Sequence, residues 1–95
     1  MTVDEFRLIA KGEAPKGLSS ALLALYHDER GDWDAAHQAA QEGETLDGAW
    51  VHAYLHRKEG DMGNAGYWYR RAGRPIPTSS LEAEWAEIAG ELLKD

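Results

Sequence analysis

The residues best suited to binding chemistry lie in one run, 60–74, which is the densest basic and aromatic stretch of the chain. On a helix with 100° per residue, Tyr67, Arg70 and Arg71 share one side, and Arg74 joins them if the helical turn continues. Arginine presents a planar fork of donors that matches a carboxylate or a phosphate. Two interpretations follow: a face that binds an anionic group, or a solvated basic face paired with the protein's own acids.

The preceding stretch offers three more residues for such a face. Arg57 falls near Trp50 and Tyr54 on one predicted helix, so its guanidinium can stack on either ring and line a groove. Alternatively, the long side chain of Arg57 runs past the core to reach solvent. The predicted binding residues are Trp50, Tyr54, Arg57, Tyr67, Arg70, Arg71 and Arg74.

The histidines are a second candidate group. His52 and His56 are four residues apart, and Glu59 lies on the same helical face. Two histidines at this spacing can bind zinc. However, no glutamate follows His52 as in a metalloprotease helix, and the face lies opposite the apolar one. We therefore predict exposed histidines with no metal and no cofactor, and place His27 and His37 on polar faces without a role.

The remaining polar residues form no catalytic constellation. The chain has no cysteine, which excludes disulfides, thiolate metal ligands and a cysteine nucleophile. No segment resembles a catalytic triad or a phosphate-binding loop, and pairs of serines fall at predicted helix starts, where capping explains them. We predict that the protein is not an enzyme.

The charge distribution limits the possible partners. The net charge of −7 divides into −6 over residues 1–56, +3 over residues 57–74 and −4 over residues 75–95, counting Lys and Arg against Asp and Glu. An acidic chain lacks the basic footprint that non-specific nucleic-acid binding requires. The local excess of positive charge instead favours an acidic peptide or a small anion. We predict a protein or peptide partner and no nucleic acid.

The sequence indicates no membrane segment. No apolar run approaches the ~18 residues that a spanning helix needs. The first residues include Asp4 and Glu5 and show no cleavage-site pattern, so they do not indicate a signal peptide. We expect a cytoplasmic protein without a membrane partner.

Helical periodicity runs through the whole chain, and no segment alternates with period two. We predict an all-α single domain over residues 1–95. Thr2 with Glu5, and Ser79 with Glu82, have the spacing of a capping box at the first and last helices. The predicted elements are an N-terminal helix over 3–11, a first helix pair over 18–43, a second pair over 47–73 and a C-terminal capping helix over 79–94.

The two helix pairs are copies of one unit. Aligning Gly31-Asp32 with Gly60-Asp61, 29 residues apart, places His27 on His56 and Ala36 on Ala65. Each unit reads as helix, Gly-Asp turn, helix. Because such a pair cannot bury its apolar face alone, the units must stack on each other.

This pattern resembles the tetratricopeptide repeat class, whose second helix follows a Gly-Asp turn with small, bulky and small residues at fixed offsets. Ala65, Tyr69 and Ala72 hold those positions here, and Pro75 and Pro77 stand where the family often closes a repeat. The resemblance implies a short right-handed α-α superhelix of about six antiparallel helices with a concave groove. Because two units fall short of the usual ~3, we expect the first and last helices to act as caps.

Three functions are compatible with this interpretation. The first is a non-catalytic module that binds an acidic peptide or partner helix through its arginine and aromatic face. The second is a structural or regulatory homo-oligomer, such as a homodimer, with the aromatic patch as its interface. The third, less favoured, is a metal-dependent enzyme using His52 and His56.

Overall fold

The computed structural model describes residues 1–43 and 45–94. These residues form six helices joined by turns and loops, and none of them forms a strand. The all-α prediction is confirmed, whereas the likeness to a tetratricopeptide repeat stays a prediction. None of these helices is both long and apolar enough to cross a bilayer. The helices are α1 (Val3–Ile9), α2 (Ser20–Glu29), α3 (Trp33–Glu42), α4 (Leu46–Lys58), α5 (Met62–Ala72) and α6 (Leu81–Leu92).

Side-chain caps define the helix starts. At α1 the Glu5 backbone N–H donates to Thr2 Oγ1 at 3.1 Å, and the Thr2 N–H donates to Glu5 Oε1 at 2.8 Å, which forms the predicted capping box. At α6 the cap is Ser80 instead of the predicted Ser79. The Ser79 carbonyl accepts a hydrogen bond from Arg57, so this residue is held outside the helix, and the predicted capping-box role of Glu82 is wrong.

The two helix pairs, α2–α3 and α4–α5, share the same turn. Gly31 and Gly60 both have left-handed backbone conformations, with φ of 80° and 87°. Asp32 and Asp61 then cap the next helix, each accepting from the backbone N–H three residues later, at 3.1 and 3.2 Å. The same dipeptide therefore builds the same turn twice, 29 residues apart.

Helix α4 is the centre of the fold. It packs against α2, α3, α5 and α6, and every residue from Gly48 to Leu55 is buried. A helix that is covered on all sides has no solvent-facing stripe. This burial places the polar side chains of α4 inside the molecule, where each must find a partner.

The terminal helices close the core from one end. Helix α1 contacts α2 and α6. Phe6 is fully buried and stacks on Trp85, with ring centroids 5.8 Å apart. The indole N–H of Trp85 donates to the Leu25 carbonyl at 3.3 Å, which joins α6 to α2. The stack of Phe6 on Trp85 thus joins the first and last helices, and the hydrogen bond ties the last helix to α2.

The first buried acid network joins α2 to α4. Asp28 is 4% exposed; its Oδ2 accepts from Tyr54 Oη at 2.9 Å and its Oδ1 from Lys58 Nζ at 2.8 Å. Burial and the neighbouring Asp28 carboxylate raise the pKa of Tyr54. The phenol therefore stays protonated and donates to the carboxylate. We call these three residues the Asp28 network.

The second buried acid network joins α6 to α4 and α5. Glu84 is 1% exposed; its Oε1 accepts from Arg57 Nη1 at 2.8 Å and its Oε2 from Tyr69 Oη at 2.6 Å. Burial and the hydrogen bond to Glu84 raise the pKa of Tyr69. We call these three residues the Glu84 network. Both networks give a buried carboxylate one phenol and one cation, as burial of an acid requires.

Candidate functional site

An open cleft of about 680 Å³ lies between the end of α3, the start of α4 and the last two turns of α5. At one end of the cleft the start of α4 packs closely against the residue after α3, since a Cβ added to Gly48 would lie 2.4 Å from the Gly43 carbonyl oxygen. Glycine at position 48 thus lets α4 start directly against the end of α3. The residues lining the cleft are Ala40, Gln41, Gly43, Thr45, Leu46, Ala49, His52, Trp68 and Arg71.

Arg71 lies at this cleft and is held by two aromatic side chains. Its Nη1 donates to Tyr67 Oη at 3.2 Å, and its Cζ lies 5.0 Å from the Trp68 ring centroid and 5.8 Å from that of Tyr67. Within the described ranges no carboxylate lies within 4.0 Å of its guanidinium. The aromatic rings therefore position the charge of Arg71 without neutralising it.

Arg70 and Arg74 do not line the cleft. Gly73 ends α5 with φ of 70°, a conformation that favours glycine, so the helical turn does not continue to Arg74 as the shared face requires. The Arg74 Cζ lies instead 3.7 Å from the Trp50 ring centroid. The Arg70 Nη1 lies 3.6 Å from the position a Cβ on Gly66 would occupy, so this side chain folds back over α5.

Three of the predicted binding residues belong to the core. Trp50 is 3% and Tyr54 2% exposed, and Tyr54 is part of the Asp28 network. Arg57 is part of the Glu84 network and does not stack on the ring of either residue. None of the three lines the cleft described above, and Tyr54 instead lines a smaller cleft of about 320 Å³ together with Asp28 and Lys58. The open cleft lies on the other side of α4, beside His52.

Three histidines converge next to the cleft. Nε2 of His37 on α3 lies 2.9 Å from Nε2 of His52 on α4, and the two form a hydrogen bond. One ring nitrogen from each of His37, His52 and His56 lies within 4.8 Å of the others. We call these three residues the imidazole cluster. The remaining histidine, His27, is not part of it.

The prediction that His52 and His56 face water is wrong. His52 is 3% exposed, because the Trp68 ring of α5 stacks on its imidazole at a centroid distance of 3.9 Å and an angle of 14°. The His56 side chain is 11% exposed. Sequence reasoning missed the role of His37, because its partners lie on α4 and helical spacing relates residues of one helix only. No signal in the sequence brings α3 against this side of α4.

The surroundings of the imidazole cluster keep two of its members neutral. Burial, together with the nearby His37 and His56 rings, lowers the pKa of His52 to about 4. Burial also lowers the pKa of His37. Near neutral pH both rings are therefore uncharged, and one proton is shared along the 2.9 Å line between their Nε2 atoms.

Two groups can therefore contact a ligand: Arg71, held by Tyr67 and Trp68, and the imidazole cluster. No protein-family model matches the chain, and searches among curated proteins and among solved structures found no significant match. The chemistry of these two groups is therefore the basis on which a function can be proposed.

Proposed function

We propose that the chain is a non-catalytic binding module that holds an acidic peptide in the cleft, with Arg71 as its anion contact. The observation that carries this proposal is the state of Arg71. The chain has 17 acidic residues against 10 basic ones. Even so, this guanidinium meets two aromatic rings and, in the described part of the chain, no carboxylate within 4.0 Å.

The cleft has the size and lining of a site for a few extended residues. Its volume of about 680 Å³ lies within the range of roughly 300–1,000 Å³ that is common for ligand pockets. Leu46, which is 67% exposed, and Trp68 offer apolar contact area. Gln41 and Thr45 add polar groups along the wall. A carboxylate seated on Arg71 would form a charge-assisted pair, the strongest polar contact the cleft can make.

The proposal keeps part of the binding face predicted from sequence. Arg71 remains as the contact, Tyr67 holds it by a hydrogen bond without lining the cleft, and the Trp68 ring lies beside the guanidinium. Arg70 and Arg74 supply a positive field close to the cleft without lining it. Peptide capture is also the use that the resemblance to tetratricopeptide repeats implies.

The test compares two neighbouring exposed arginines of α5. A dye-labelled peptide of alternating glutamate and alanine is titrated with the protein, and its fluorescence anisotropy is recorded at two salt concentrations. Arg71→Ala is expected to weaken binding by at least about tenfold, because a hydrogen bond to a charged group contributes roughly 1.5–3 kcal/mol. Arg70→Ala serves as the matched control and should leave the affinity within about twofold.

Two outcomes would overturn the proposal. Equal losses from Arg70→Ala and Arg71→Ala would indicate a diffuse field without a defined contact. Equal binding of a peptide with glutamine in place of glutamate would show that no carboxylate is recognised. Sedimentation at micromolar concentration tests the rival homodimer, and a dimer that Tyr67→Ala dissociates would assign the aromatic patch to a subunit interface.

A further inference from the structure

We propose that the imidazole cluster, formed by His37, His52 and His56, binds one divalent transition-metal ion, with zinc as the best match. This site goes beyond the proposed peptide binding and does not use Arg71, although His52 and Trp68 also line the peptide cleft. It also departs from the prediction, made from the sequence, that the chain has no metal site.

The nitrogens already lie close to the spacing that a metal requires. Zinc–nitrogen bonds of about 2.0–2.1 Å in a tetrahedral site place pairs of ligand nitrogens roughly 3.3 Å apart. The Nε2 atoms of His37 and His52 are 2.9 Å apart, and the three ligand atoms lie within 4.8 Å of one another. Small side-chain rotations therefore bring the three nitrogens around one ion, which leaves a fourth position for water or another ligand.

Tryptophan rings fix the orientation of two imidazoles. Trp33 stacks on His37 with a centroid distance of 4.8 Å and an interplanar angle of 11°. Trp68 stacks on His52 at 3.9 Å and 14°. The indole N–H of Trp33 donates to the Leu55 carbonyl at 3.0 Å, so the first ring is itself held in place. Preorganised ligands lose little freedom when a metal binds.

The third imidazole has the outer partner that metal-binding histidines have. Nδ1 of His56 lies 2.6 Å from Glu59 Oε1. A carboxylate on Nδ1 holds the proton there and leaves Nε2 as the lone pair for the metal, as in carboxylate–histidine–zinc arrangements. Helix α4 thus supplies two ligands at i and i+4, and the residue at i+7 orients the second.

A competing cluster, His56 with Glu59 and Asp61, also brings three potential ligand atoms together. Asp61, however, caps α5, where Oδ1 accepts from the Asn64 backbone N–H at 3.2 Å and Oδ2 from the Asn64 side chain at 2.7 Å. These hydrogen bonds lower the pKa of Asp61. Because both of its oxygens are in use, the geometry favours the imidazole cluster.

The ligand type selects the metal. Three neutral imidazoles suit zinc, copper, nickel and iron, whereas calcium and magnesium prefer oxygen. Coordination through both Nε2 atoms requires the hydrogen that one ring donates to the other to move to Nδ1 of the donating ring, so that both imidazoles bind as neutral ligands. Of the three rings His52 is buried, and His37 and His56 are partly buried.

The test uses the 95-residue chain without a histidine tag, freed of metal with a chelator, and zinc as the only added probe. Calorimetric titration is expected to give a stoichiometry of one zinc per chain. Thermal unfolding is expected to give a higher Tm with zinc than without it. His37→Gln and His56→Gln should each weaken zinc binding by at least about 100-fold, because loss of an outer-shell partner alone costs 10–100-fold. His27→Gln is the matched control and should bind zinc like the unmodified chain. Glu59→Gln should keep the stoichiometry and weaken binding about tenfold or more.

Cobalt gives a second readout that needs no variant. Co(II) is expected to produce the intense visible bands of a tetrahedral site, which zinc then displaces. Circular dichroism of each variant without metal shows whether it folds. Absence of zinc binding by the unmodified chain would overturn the inference, as would a His37→Gln protein that folds and binds zinc normally. Arg71→Ala should not change zinc affinity, so failure of the peptide proposal and failure of this one are distinguishable.

Discussion

Polar side chains on the two sides of α4 differ in the partners that they have within the protein. Toward α2 and α6, the carboxylates of Asp28 and Glu84 are buried, and each receives one phenol and one cation. Toward α3 and α5, Arg71 meets rings but no carboxylate in the described residues, and the imidazole cluster shares one short internal hydrogen bond.

The contrast separates polar groups that hold the fold from polar groups that can serve a ligand. A buried charge with all its partners in place contributes specificity to packing and has no capacity left for a ligand. A charge held only by aromatic faces keeps that capacity, and so do neutral imidazoles that are hydrogen-bonded to each other and can exchange this bond for one to a metal. The side facing α3 and α5 is therefore where binding experiments should succeed, and the opposite side is where substitutions should unfold the protein.

The largest expected effect comes from Glu84→Ala. It leaves the Arg57 cation and the Tyr69 hydroxyl without their buried acceptor. Removal of one partner of a buried ion pair costs about 3–5 kcal/mol in free energy of unfolding. Urea denaturation followed by circular dichroism measures this loss.

The double variant Arg57→Met with Glu84→Leu serves as the control for that loss. It removes both charges together, so most of the lost stability should return, because no uncompensated charge stays buried. A double variant as unstable as the single one would show that Glu84 acts mainly through its shape or through Tyr69.

The next largest effect is a pH dependence of the free energy of unfolding, caused by His52 of the imidazole cluster. Burial lowers the pKa of folded His52 to about 4, whereas an unfolded histidine titrates near 6.5. The unfolded chain therefore takes up the proton first, so the contribution of His52 is complete above about pH 6.5 and is lost as the pH falls toward 4. The loss should be roughly 3 kcal/mol. Urea denaturation from pH 7 to 4.5 with a chelator present measures it, and His52→Gln should flatten the profile over that window.

A smaller effect is expected for Asp28→Asn. The amide oxygen still accepts from Tyr54, but the charge that pairs with Lys58 is gone. The Lys58 side chain is 40% exposed, so water compensates much of the loss. We expect a cost of about 1–2 kcal/mol, between the values for exposed and buried pairs. A loss as large as that of Glu84→Ala would mean that the two acid networks are equivalent, despite the exposure of Lys58.

Local features of this fold follow directly from the sequence. The capping box of Thr2 and Glu5 and the helix caps formed by Asp32 and Asp61 depend on residues three positions apart. Apolar spacing likewise predicts helices throughout, and the six observed helices agree. These features were predictable because the interactions that create them lie within one turn of helix.

The candidate site was predictable only in part, because its parts come from different helices. Arg57 and Arg71 both lie in the segment with a net charge of +3, residues 57–74. Glu84, which is 27 residues from Arg57 in the sequence, pairs with Arg57 and not with Arg71. His37 and His52 meet because α3 packs on the side of α4 that helical spacing marks as polar. Such contacts depend on the order in which helices pack, which the spacing within a helix does not contain.

The smallest expected change in stability is that of Arg71→Ala, and it is the sharpest test of the contrast between the two sides. Its guanidinium gives up one exposed hydrogen bond to Tyr67 and stacking on Trp68, and it leaves no buried partner behind. We therefore expect the free energy of unfolding to stay within about 0.5 kcal/mol of that of the unmodified chain. Arg57→Ala, the matched substitution on the other side of α4, should cost several kcal/mol because it strands the Glu84 carboxylate. Urea denaturation of the two variants in parallel compares the sides directly. Equal losses would mean that Arg71 stabilises the fold as Arg57 does, and the distinction between structural and ligand-facing charge would fail.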